Sequence, residues 1–412
     1  MKIDADDWRM IDLDMKRWNV YGGSEGVQDI LTAHRKEKEV TIYTHDTQGT
    51  GEFSFIAGDD IEKQIANALV ISKKIRNESY TLPEGRRHYN THLPLADAVM
   101  KEGVERKLQQ IAKKMIQRLP VNTLEIHASR KRVCIKNSKG INARSESTAI
   151  YILLITSRKG EYVYFDTFSR LQDMKIEKLI EHCKRYLADI DKAKPARSFA
   201  GKTVLKARAL AEFFRPHLGL APMVGHASAR LAHMGLSRYR RGESIVDAKA
   251  EPLTLISNPA VPYNPASGMF DEDGIPSKIV TLVDRGVFQN HFANNRYAQY
   301  LDIKPTGALG VIQVGRGAKG VDELSKGEHV EIHEFASFCP NMISGDFSAE
   351  IRLGYRCRGK NRTPFRGGMF TGNVFELLRE VHFSKESMTA EGYLGPKAIR
   401  FMHGTIAGME KT

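Results

Sequence analysis

The stretches Ile343-Ser-Gly-Asp-Phe-Ser348 and Gly372-Asn-Val-Phe-Glu-Leu-Leu378 are the most informative part of this sequence for its fold. Between them lie two short runs, Ile351–Cys357 and Met369–Thr371, whose composition favours β-strands. A polar turn, Gly359-Lys-Asn-Arg362, separates the two runs. Short strands that alternate with Gly-containing turns are typical of β-sandwiches and β-barrels. We therefore expect a β-rich fold around this region.

The same pattern of short strands and turns extends through the chain from residue 203 onward, with frequent Gly and Pro and few long helical patterns. Further strand candidates, separated by turn clusters, are Pro252–Ile256, Ile279–Val283, Val287–Phe292 and Val330–Phe335. The polar, proline-containing segment Lys192–Arg197 precedes this region and has the composition of a linker. We predict a domain boundary near residue 195, with one domain over residues 1–195 and a β-rich domain over residues 196–412.

The first half of the chain combines strands with longer helices. Alternating apolar residues predict strands in Glu39–Thr44 and Gly51–Ala57. Apolar residues at helical spacing predict a helix from Ile61 to Ile75, which Asp59 or Asp60 would cap. The residues that precede Glu39 show no clear periodicity, so no element is predicted there.

Further strands and helices are predicted before the boundary. The strand-like runs are Thr123–Lys136, Ile141–Ser157 and Glu161–Phe168, and the helical patterns are Leu95–Arg118 and Met174–Asp189. The stretch Asn137-Ser-Lys-Gly140 has the composition of a hairpin turn. Strands joined by such short turns pair antiparallel. We therefore predict the α+β class, with helices laid on a mostly antiparallel sheet in the first domain.

The chain of 412 residues carries a formal net charge of +13 and four cysteines. The cysteines show no C-x-x-C spacing, so neither a disulfide framework nor a thiol zinc knot is expected. No apolar run approaches the ~20 residues of a membrane-spanning helix. The beginning of the sequence lacks the apolar core of a signal peptide. We expect a protein of the reducing cytoplasm with no membrane partner.

Basic residues are concentrated in the range 101–144. Lys107, Lys113, Lys114 and Arg118 recur at the spacing of the solvent-facing side of an amphipathic helix. A nucleic-acid surface would combine such a run with interleaved aromatic residues or a recognised module, and neither is evident. We interpret the run as a solvated helix face. A surface for an acidic partner or an unfolded peptide is the alternative, and nucleic acid is not expected to bind.

Six short motifs follow one another along the chain: Asn137-Ser-Lys-Gly140, Phe270-Asp-Glu-Asp-Gly-Ile-Pro276, Asp284-Arg-Gly-Val-Phe288, Pro305-Thr-Gly-Ala308, Gly345-Asp-Phe-Ser348 and Thr371-Gly-Asn373. Each resembles a motif of the TldD/PmbA family, a metallopeptidase-related family also labelled modulators of DNA gyrase. The resemblance extends from about residue 38 to residue 395, in the family's order. It implies that Thr371-Gly-Asn373 opens a helix.

Active peptidases of that family bind zinc through His-Glu-x-x-x-His on a helix and a Cys near the C-terminus. Two imidazoles and a thiolate leave one coordination position open, and the Glu takes a proton from the bound water. The corresponding positions here are Arg215-Pro-His-Leu-Gly-Leu220 and Leu394. The resemblance therefore implies a TldE/PmbA-like chain with no catalytic residue, no metal ligand and no cofactor of its own. Zinc is expected on a TldD-like partner.

Candidate residues for binding a peptide or the partner also come from the resemblance. The family has an Arg-x-Ser-like segment close to its cleft, which corresponds here to Arg240, Arg241 and Ser244. The two guanidinium groups could bind a peptide carboxylate through paired hydrogen bonds. An exposed basic turn is the alternative. Asp346 and Asn373, from the two C-terminal motifs, complete the candidate set.

A second group of polar residues alternates along a predicted strand. His329, Glu331 and His333 would face one side of that strand and form a possible trio of metal ligands. Spare polar residues on a solvated strand face explain the pattern equally well. The glycines of Gly315–Gly320 lack the Gly-Lys-Ser/Thr of a phosphate loop, so we interpret that segment as a mobile loop.

The resemblance implies the non-catalytic subunit of a TldD/TldE-type zinc metallopeptidase that acts on unfolded or leader peptides. The complex would be a heterodimer or a larger assembly with a zinc-bearing chain. This chain would help to hold an extended peptide, by adding it as a strand to a sheet edge. The alternative is a stand-alone homo-oligomeric protein that binds peptide or an acidic partner without peptidase activity.

Overall fold

A computed structural model describes residues 3, 5–89, 91–359 and 361–409, so Lys360 of the polar turn quoted above lies outside the described residues. The first domain contains strands β1 (Asp7–Gly23), β2 (Gly26–Asp46), β3 (Gly49–Ile56), β4 (Val121–Asn137), β5 (Asn142–Ser157) and β6 (Glu161–Phe168). In the described part of the chain they form one antiparallel sheet in the order β3-β2-β1-β4-β5-β6.

Helices cover one face of this sheet. They are α1 (Ile61–Ser72), α2 (Val104–Arg118) and α3 (Ile176–Ile190), with a short 3-10 helix at Leu171–Met174. Alternate residues of β4 and β5, such as Ile126 and Ile152, are buried beneath α2 and α3. This arrangement confirms the prediction of helices on an antiparallel sheet.

Two N-terminal predictions were incomplete. The residues before Glu39 form β1 and most of β2, although charged side chains along both strands hide their alternation. The helix predicted from Leu95 begins only at Val104. The carboxylate of Asp97 accepts the backbone N–H of Val99 at 2.9 Å, and Gly103 adopts φ +61 directly before the helix. This local turn competes with the helical pattern.

The second domain is rich in strands, as predicted. Its strands are β7 (Lys194–Pro195), β8 (Phe199–Lys206), β9 (Leu255–Asn258), β10 (Val280–Asp284), β11 (Val287–Phe288), β12 (Val311–Val314), β13 (His329–Pro340), β14 (Asp346–Arg358), β15 (Asn361–Arg366), β16 (Met369–Asn373), β17 (Val381–Phe383), β18 (Ser387–Ala390), β19 (Tyr393–Pro396) and β20 (Ala398–Ala407). Its helices are α4 (Ala207–Phe214), α5 (Pro222–Gly225), α6 (Ala229–His233), α7 (Asn295–Tyr300), α8 (Val321–Leu324) and α9 (Val374–Arg379).

Five of these strands close into a ring. The order β13-β8-β20-β16-β14 returns to β13, because β13 and β14 also pair with each other. A second sheet, β11-β10-β9-β12-β19-β18, lies beside the ring. One apolar core joins the ring, this sheet and α4, and its buried residues include Leu205, Phe213, Ile332, Phe370 and Phe401. The result is the barrel-like architecture expected from the short strands.

The two domains share a packed seam. Leu353, Tyr355 and Cys357 of β14 belong to the same buried cluster as the residues of α3. At a second point, Arg9 of β1 forms an ion pair of 2.6 Å with Asp273. Among the described residues, no helix is long and apolar enough to cross a membrane.

Candidate functional site

The positions that the resemblance assigns to the zinc motif lie directly after α4. The helix ends at Phe214, and Arg215 leaves helical geometry with φ −135 and ψ 78. Pro216 follows, and proline disfavours helical geometry in the residue before it. Residues 215–220 therefore form a bend. The helix that would present two imidazoles to a metal does not continue through these positions.

The side chain of Arg215 lies against Gly392, close to the position assigned to the family's Cys. Gly392 has φ +66, and a Cβ there would be 2.9 Å from both Cγ and Nε of Arg215. Beside this contact, the ring of Phe214 stacks on Tyr393, with 5.8 Å between centroids. The structure thus brings position 215 next to the strand that carries Leu394. We call Arg215, Glu391 and Gly392 the arginine corner.

The arginine corner carries the positive charge of the Arg215 side chain. Burial lowers the pKa of the Arg215 guanidinium, and the nearby Glu391 carboxylate opposes that shift. An arginine pKa starts so high that the side chain stays protonated at neutral pH. A permanent positive charge therefore occupies the corner.

Helix α4 and the bend that follows it contact the first domain through β6. The ring of His217 packs on Phe165 with 5.4 Å between centroids. The guanidinium of Arg208, on α4, lies 3.1 Å from the centre of the same Phe165 ring and donates a hydrogen bond to the Phe165 carbonyl. One strand of the N-terminal sheet therefore touches both α4 and the bend that follows it.

A pocket of about 380 Å³ lies on the same sheet, on the face opposite the helices. Its walls include Tyr21, His127 and Tyr151, which contact one another edge to face and stacked, at 5.5 and 6.0 Å. Burial raises the pKa of Tyr151, Glu125 and Glu391 raise it further, and Arg208 opposes them.

The predicted basic segment forms an exposed turn at the edge of the second sheet. Arg240 and Arg241 are exposed. The N–H of Gly242 donates to the Phe288 carbonyl at 2.9 Å, and Ser244 pairs with Val287 of β11. The Ser244 hydroxyl donates to a backbone carbonyl within its own turn. The backbone pairing therefore fixes the turn and presents its two arginines to solvent.

Asp346 and Asn373 contact each other directly. The side-chain Oδ1 of Asn373 accepts the backbone N–H of Phe375 at 3.0 Å and so caps α9, which confirms that Thr371-Gly-Asn373 opens a helix. Its amide donates to Asp346 Oδ1 and to the Ser344 carbonyl, both at 2.9 Å. Hydrogen bonds from Asn373 and Ser344 lower the pKa of Asp346.

Residues next to the two predicted groups pack against the same buried ring, that of Phe375. The guanidinium of Arg238 lies 4.2 Å from the centre of the Phe375 ring, and Tyr239 contacts that ring edge to face. Buried His226 contacts Phe375 and is hydrogen-bonded to the carbonyl of Ile343 at 2.9 Å. The segment that leads into the basic turn therefore packs against the first turn of α9, which follows Asn373.

Sequence and structural comparisons place this architecture in a known family. A sequence profile of the PmbA/TldA metallopeptidase C-terminal domain matches residues 202–408. The chain belongs to the TldD/PmbA family. An uncharacterized protein of Methanocaldococcus jannaschii is 25% identical over 263 residues, which are 59% of this chain and 59% of that protein.

Crystal structures with the same fold cover nearly the whole TldD/PmbA-family chain. A candidate modulator of DNA gyrase from Thermotoga maritima superposes with a TM-score of 0.82 at 18% identity, over 97% of this chain and 96% of that one. TldE from Thermococcus kodakarensis superposes with a TM-score of 0.78 at 17% identity, over 98% of this chain and 97% of that one. A candidate modulator of DNA gyrase from Bacteroides thetaiotaomicron superposes with a TM-score of 0.80 at 15% identity, over 98% of this chain and 95% of that one. At these identities the superpositions show the fold alone.

A larger groove, of about 1060 Å³, lies on the helix-covered side of the N-terminal sheet in this TldD/PmbA-family chain. Its walls carry five Lys or Arg and four Asp or Glu. Several of these charges are paired, as Glu146 is with Arg132 at 2.8 Å and Asp12 with Lys38 at 3.7 Å. The groove therefore offers no single sign of charge that would select an acidic partner.

The trio His329, Glu331 and His333 does share one side of β13, but that side is buried. Glu331 Oε2 lies 3.0 Å from His333 Nε2, and α3 covers His333 through a Tyr186 hydrogen bond of 2.9 Å. The interpretation as a solvated strand face was therefore wrong, because the first domain packs against this side of the barrel. Burial alone would raise the pKa of Glu331, but contacts with the imidazoles and Lys206 hold it well below its usual range.

Proposed function

We propose that this chain is the non-catalytic, TldE/PmbA-like subunit of a TldD/TldE-type zinc metallopeptidase that cleaves unfolded or leader peptides. The arginine corner is the observation that carries the proposal. The resemblance assigns Arg215 to the position of the first zinc ligand, and a guanidinium has no lone pair for a metal and repels a divalent cation. Zinc and the water-activating Glu are therefore assigned to a TldD-like partner chain.

The comparisons support this proposal at a coarser level. The matching family profile describes a metallopeptidase domain. One of the solved structures with this fold is a TldE. The curated relative is uncharacterized, and this chain spans 59% of its length, so it contributes no activity or partner.

The role of this chain in the complex is to hold an extended peptide beside the partner's metal. The aromatic pocket offers the ring faces of Tyr21, His127 and Tyr151, which can accept apolar side chains without demanding a particular sequence. β18 is at the edge of its sheet in the described part of the chain, and it leads directly into Glu391. An edge strand can take up a peptide through main-chain hydrogen bonds, with little demand on its sequence.

We also propose a cytoplasmic location. Cys134, Cys183, Cys339 and Cys357 are all unpaired. Free thiols, one of them exposed, suit a reducing compartment. The same location would supply unfolded peptides as they leave the ribosome.

Co-expression with the His-Glu-x-x-x-His homologue from the same source tests the assembly. We expect size-exclusion chromatography to give a complex of equal numbers of the two chains, with one zinc ion per pair at the homologue's motif. A homo-oligomer that ignores the homologue would contradict the proposal and favour the stand-alone binding protein.

The candidate binding residues are tested separately, by peptide affinity of the complex. The double variant R240A/R241A is expected to weaken binding of an acidic unfolded peptide, because two charge-assisted contacts are lost. The matched control is the double variant R158A/K159A, which also removes two exposed positive charges, from the loop between β5 and β6. Equal losses in both variants would show only a general charge effect.

A further inference from the structure

Three buried donor groups come together where β13 and β14 pair. His329 and Cys357 are direct partners in the antiparallel register, and Glu331 lies two residues beyond His329 on the same side of β13. The potential donor atoms of the three side chains lie within 4.8 Å of one another. His329 is 3% exposed, Glu331 5% and Cys357 6%. Small side-chain rotations would bring the three donors to bonding distance around one ion, ~2.0–2.3 Å from each.

The orientation of His329 provides a second, independent observation. Its Nδ1 lies 3.0 Å from the carbonyl of Gly327, to which it donates. Its Nε2 is buried, has no hydrogen-bond partner and lies 3.5 Å from Glu331 Oε1. Metal-binding histidines usually anchor one ring nitrogen to a carbonyl in this way and present the other to the ion. A buried ring nitrogen that makes no hydrogen bond, and has only this 3.5 Å ion-pair contact, is uncommon in folded proteins and leaves Nε2 available to a metal ion.

We propose that His329, Glu331 and Cys357 bind a zinc-class divalent ion. An imidazole, a thiolate and a carboxylate together suit zinc or a similar first-row metal, whereas magnesium and calcium prefer oxygen donors throughout. The site is separate from the family's helical motif, whose positions here are 215–220 and 394. It also goes beyond the sequence expectation that this chain holds no cofactor, and it does not depend on the proposed peptidase role.

Basic side chains around Glu331 would compete with the ion for its carboxylate. Lys206 Nζ contacts Glu331 Oε1 and lies 2.9 Å from Ser325 Oγ. Arg362 and His333 contact the other carboxylate oxygen at 3.1 and 3.0 Å. An ion at Oε1 displaces the Lys206 ammonium toward Ser325, while the contacts at Oε2 continue to orient the carboxylate. Lysine and metal are therefore alternative cations at one oxygen.

The position of the site indicates a structural role. It links β13 to β14 on the side of the barrel that packs against α3 of the first domain. His333, next to the site, is hydrogen-bonded to Tyr186 of α3. A bound ion would hold the two strands in register and stiffen the seam between the domains.

Cobalt titration of the metal-depleted full chain tests the proposal. Cobalt(II) reports its own coordination, because a thiolate ligand adds a charge-transfer band in the near ultraviolet. We expect about one Co²⁺ per chain with this band. Cys357→Ser should abolish the band, and Cys357→Ser and His329→Gln should each weaken binding at least ~10-fold. Cys339→Ser, which changes an exposed thiol, is the matched control and should leave band and affinity unchanged.

A second variant keeps the test decisive if the ligand variants do not fold. Lys206→Met removes the competing ammonium and retains the three donors, so it should bind Co²⁺ several-fold more tightly than the parent. A merely structural lysine would give no such gain. Absence of the band in the parent chain, its loss in Cys339→Ser, its persistence in folded Cys357→Ser, or unchanged affinity in Lys206→Met would each overturn the proposal.

Discussion

Replacing Gly392 by alanine perturbs the arginine corner at a single atom. Gly392 has φ +66, and a side chain in this left-handed region costs about 1–2 kcal/mol. The added Cβ would also lie 2.9 Å from Cγ and Nε of Arg215 and 3.2 Å from its Cδ. Such overpacking costs about 1–3 kcal/mol. We expect Gly392→Ala to lower the free energy of unfolding by about 2–5 kcal/mol.

A double-mutant cycle separates the two contributions. In an Arg215→Ala background the overlapping atoms are gone, so Gly392→Ala should cost only the backbone part, about 1–2 kcal/mol. The coupling energy between the sites should equal the overpacking part, about 1–3 kcal/mol, which is within the range for residues in contact. Urea unfolding followed by circular dichroism measures all four chains.

The control for this cycle is Gly219→Ala, in the bend after α4. Gly219 has φ +77, and a Cβ there would meet nothing within 4 Å. Gly219→Ala should therefore lower the free energy of unfolding by the backbone cost alone, equally with Arg215 present and with Arg215→Ala. Additive effects of Arg215→Ala and Gly392→Ala, with a coupling below ~0.5 kcal/mol, would refute the packing of Arg215 on Gly392.

Three further predictions concern the cap, the seam and the pH dependence. Asn373→Ala removes the α9 cap and should cost about 1 kcal/mol of unfolding free energy, whereas Asn373→Ser keeps an acceptor and should cost less; urea unfolding measures both. Arg9→Met leaves Asp273 buried without its 2.6 Å partner and should cost about 3 kcal/mol in the same assay. Burial, aided by Asp273, raises the pKa of Asp271 from 3.8 to about 7. The folded chain therefore retains a proton there between about pH 4 and pH 7, and this group's contribution to stability falls as pH rises through that window. The free energy of unfolding of Asp271→Asn should therefore increase relative to that of the parent as the pH rises from about 4 to about 7. Parallel pH profiles of the two chains would contradict this expectation.

Much of the fold follows from local patterns in the sequence. β4 and β5 alternate between buried and more exposed residues because one face lies under α2 and α3. Asp60, one of the two predicted capping residues, caps α1. β1 and β2 do not alternate in the same way. One stretch of them borders the charged groove, and another contacts the second domain through Arg9. Their burial therefore depends on neighbours that a local pattern does not contain.

The candidate site was predictable to a similar extent. The order of the motifs placed Arg215 and Leu394 at corresponding positions of one site, and the structure brings the strand of Leu394 to Arg215. Cys357 was not associated with His329 and Glu331, because their proximity depends on the register of β13 with β14. Lys206 reaches Glu331 from a third strand. Contacts of this kind are set by tertiary pairing, which spacing along one strand does not reveal.

Cleavage of an unfolded peptide by the separate and the mixed chains distinguishes a non-catalytic subunit from an independent peptidase. With zinc supplied, we expect cleavage by the mixture of this chain and its zinc-motif homologue, and no cleavage by this chain alone. Replacing the motif Glu of the homologue should stop cleavage, whereas Arg215→Ala in this chain should leave the zinc content of the pair unchanged. Zinc-dependent cleavage by this chain in the absence of the homologue would contradict the account.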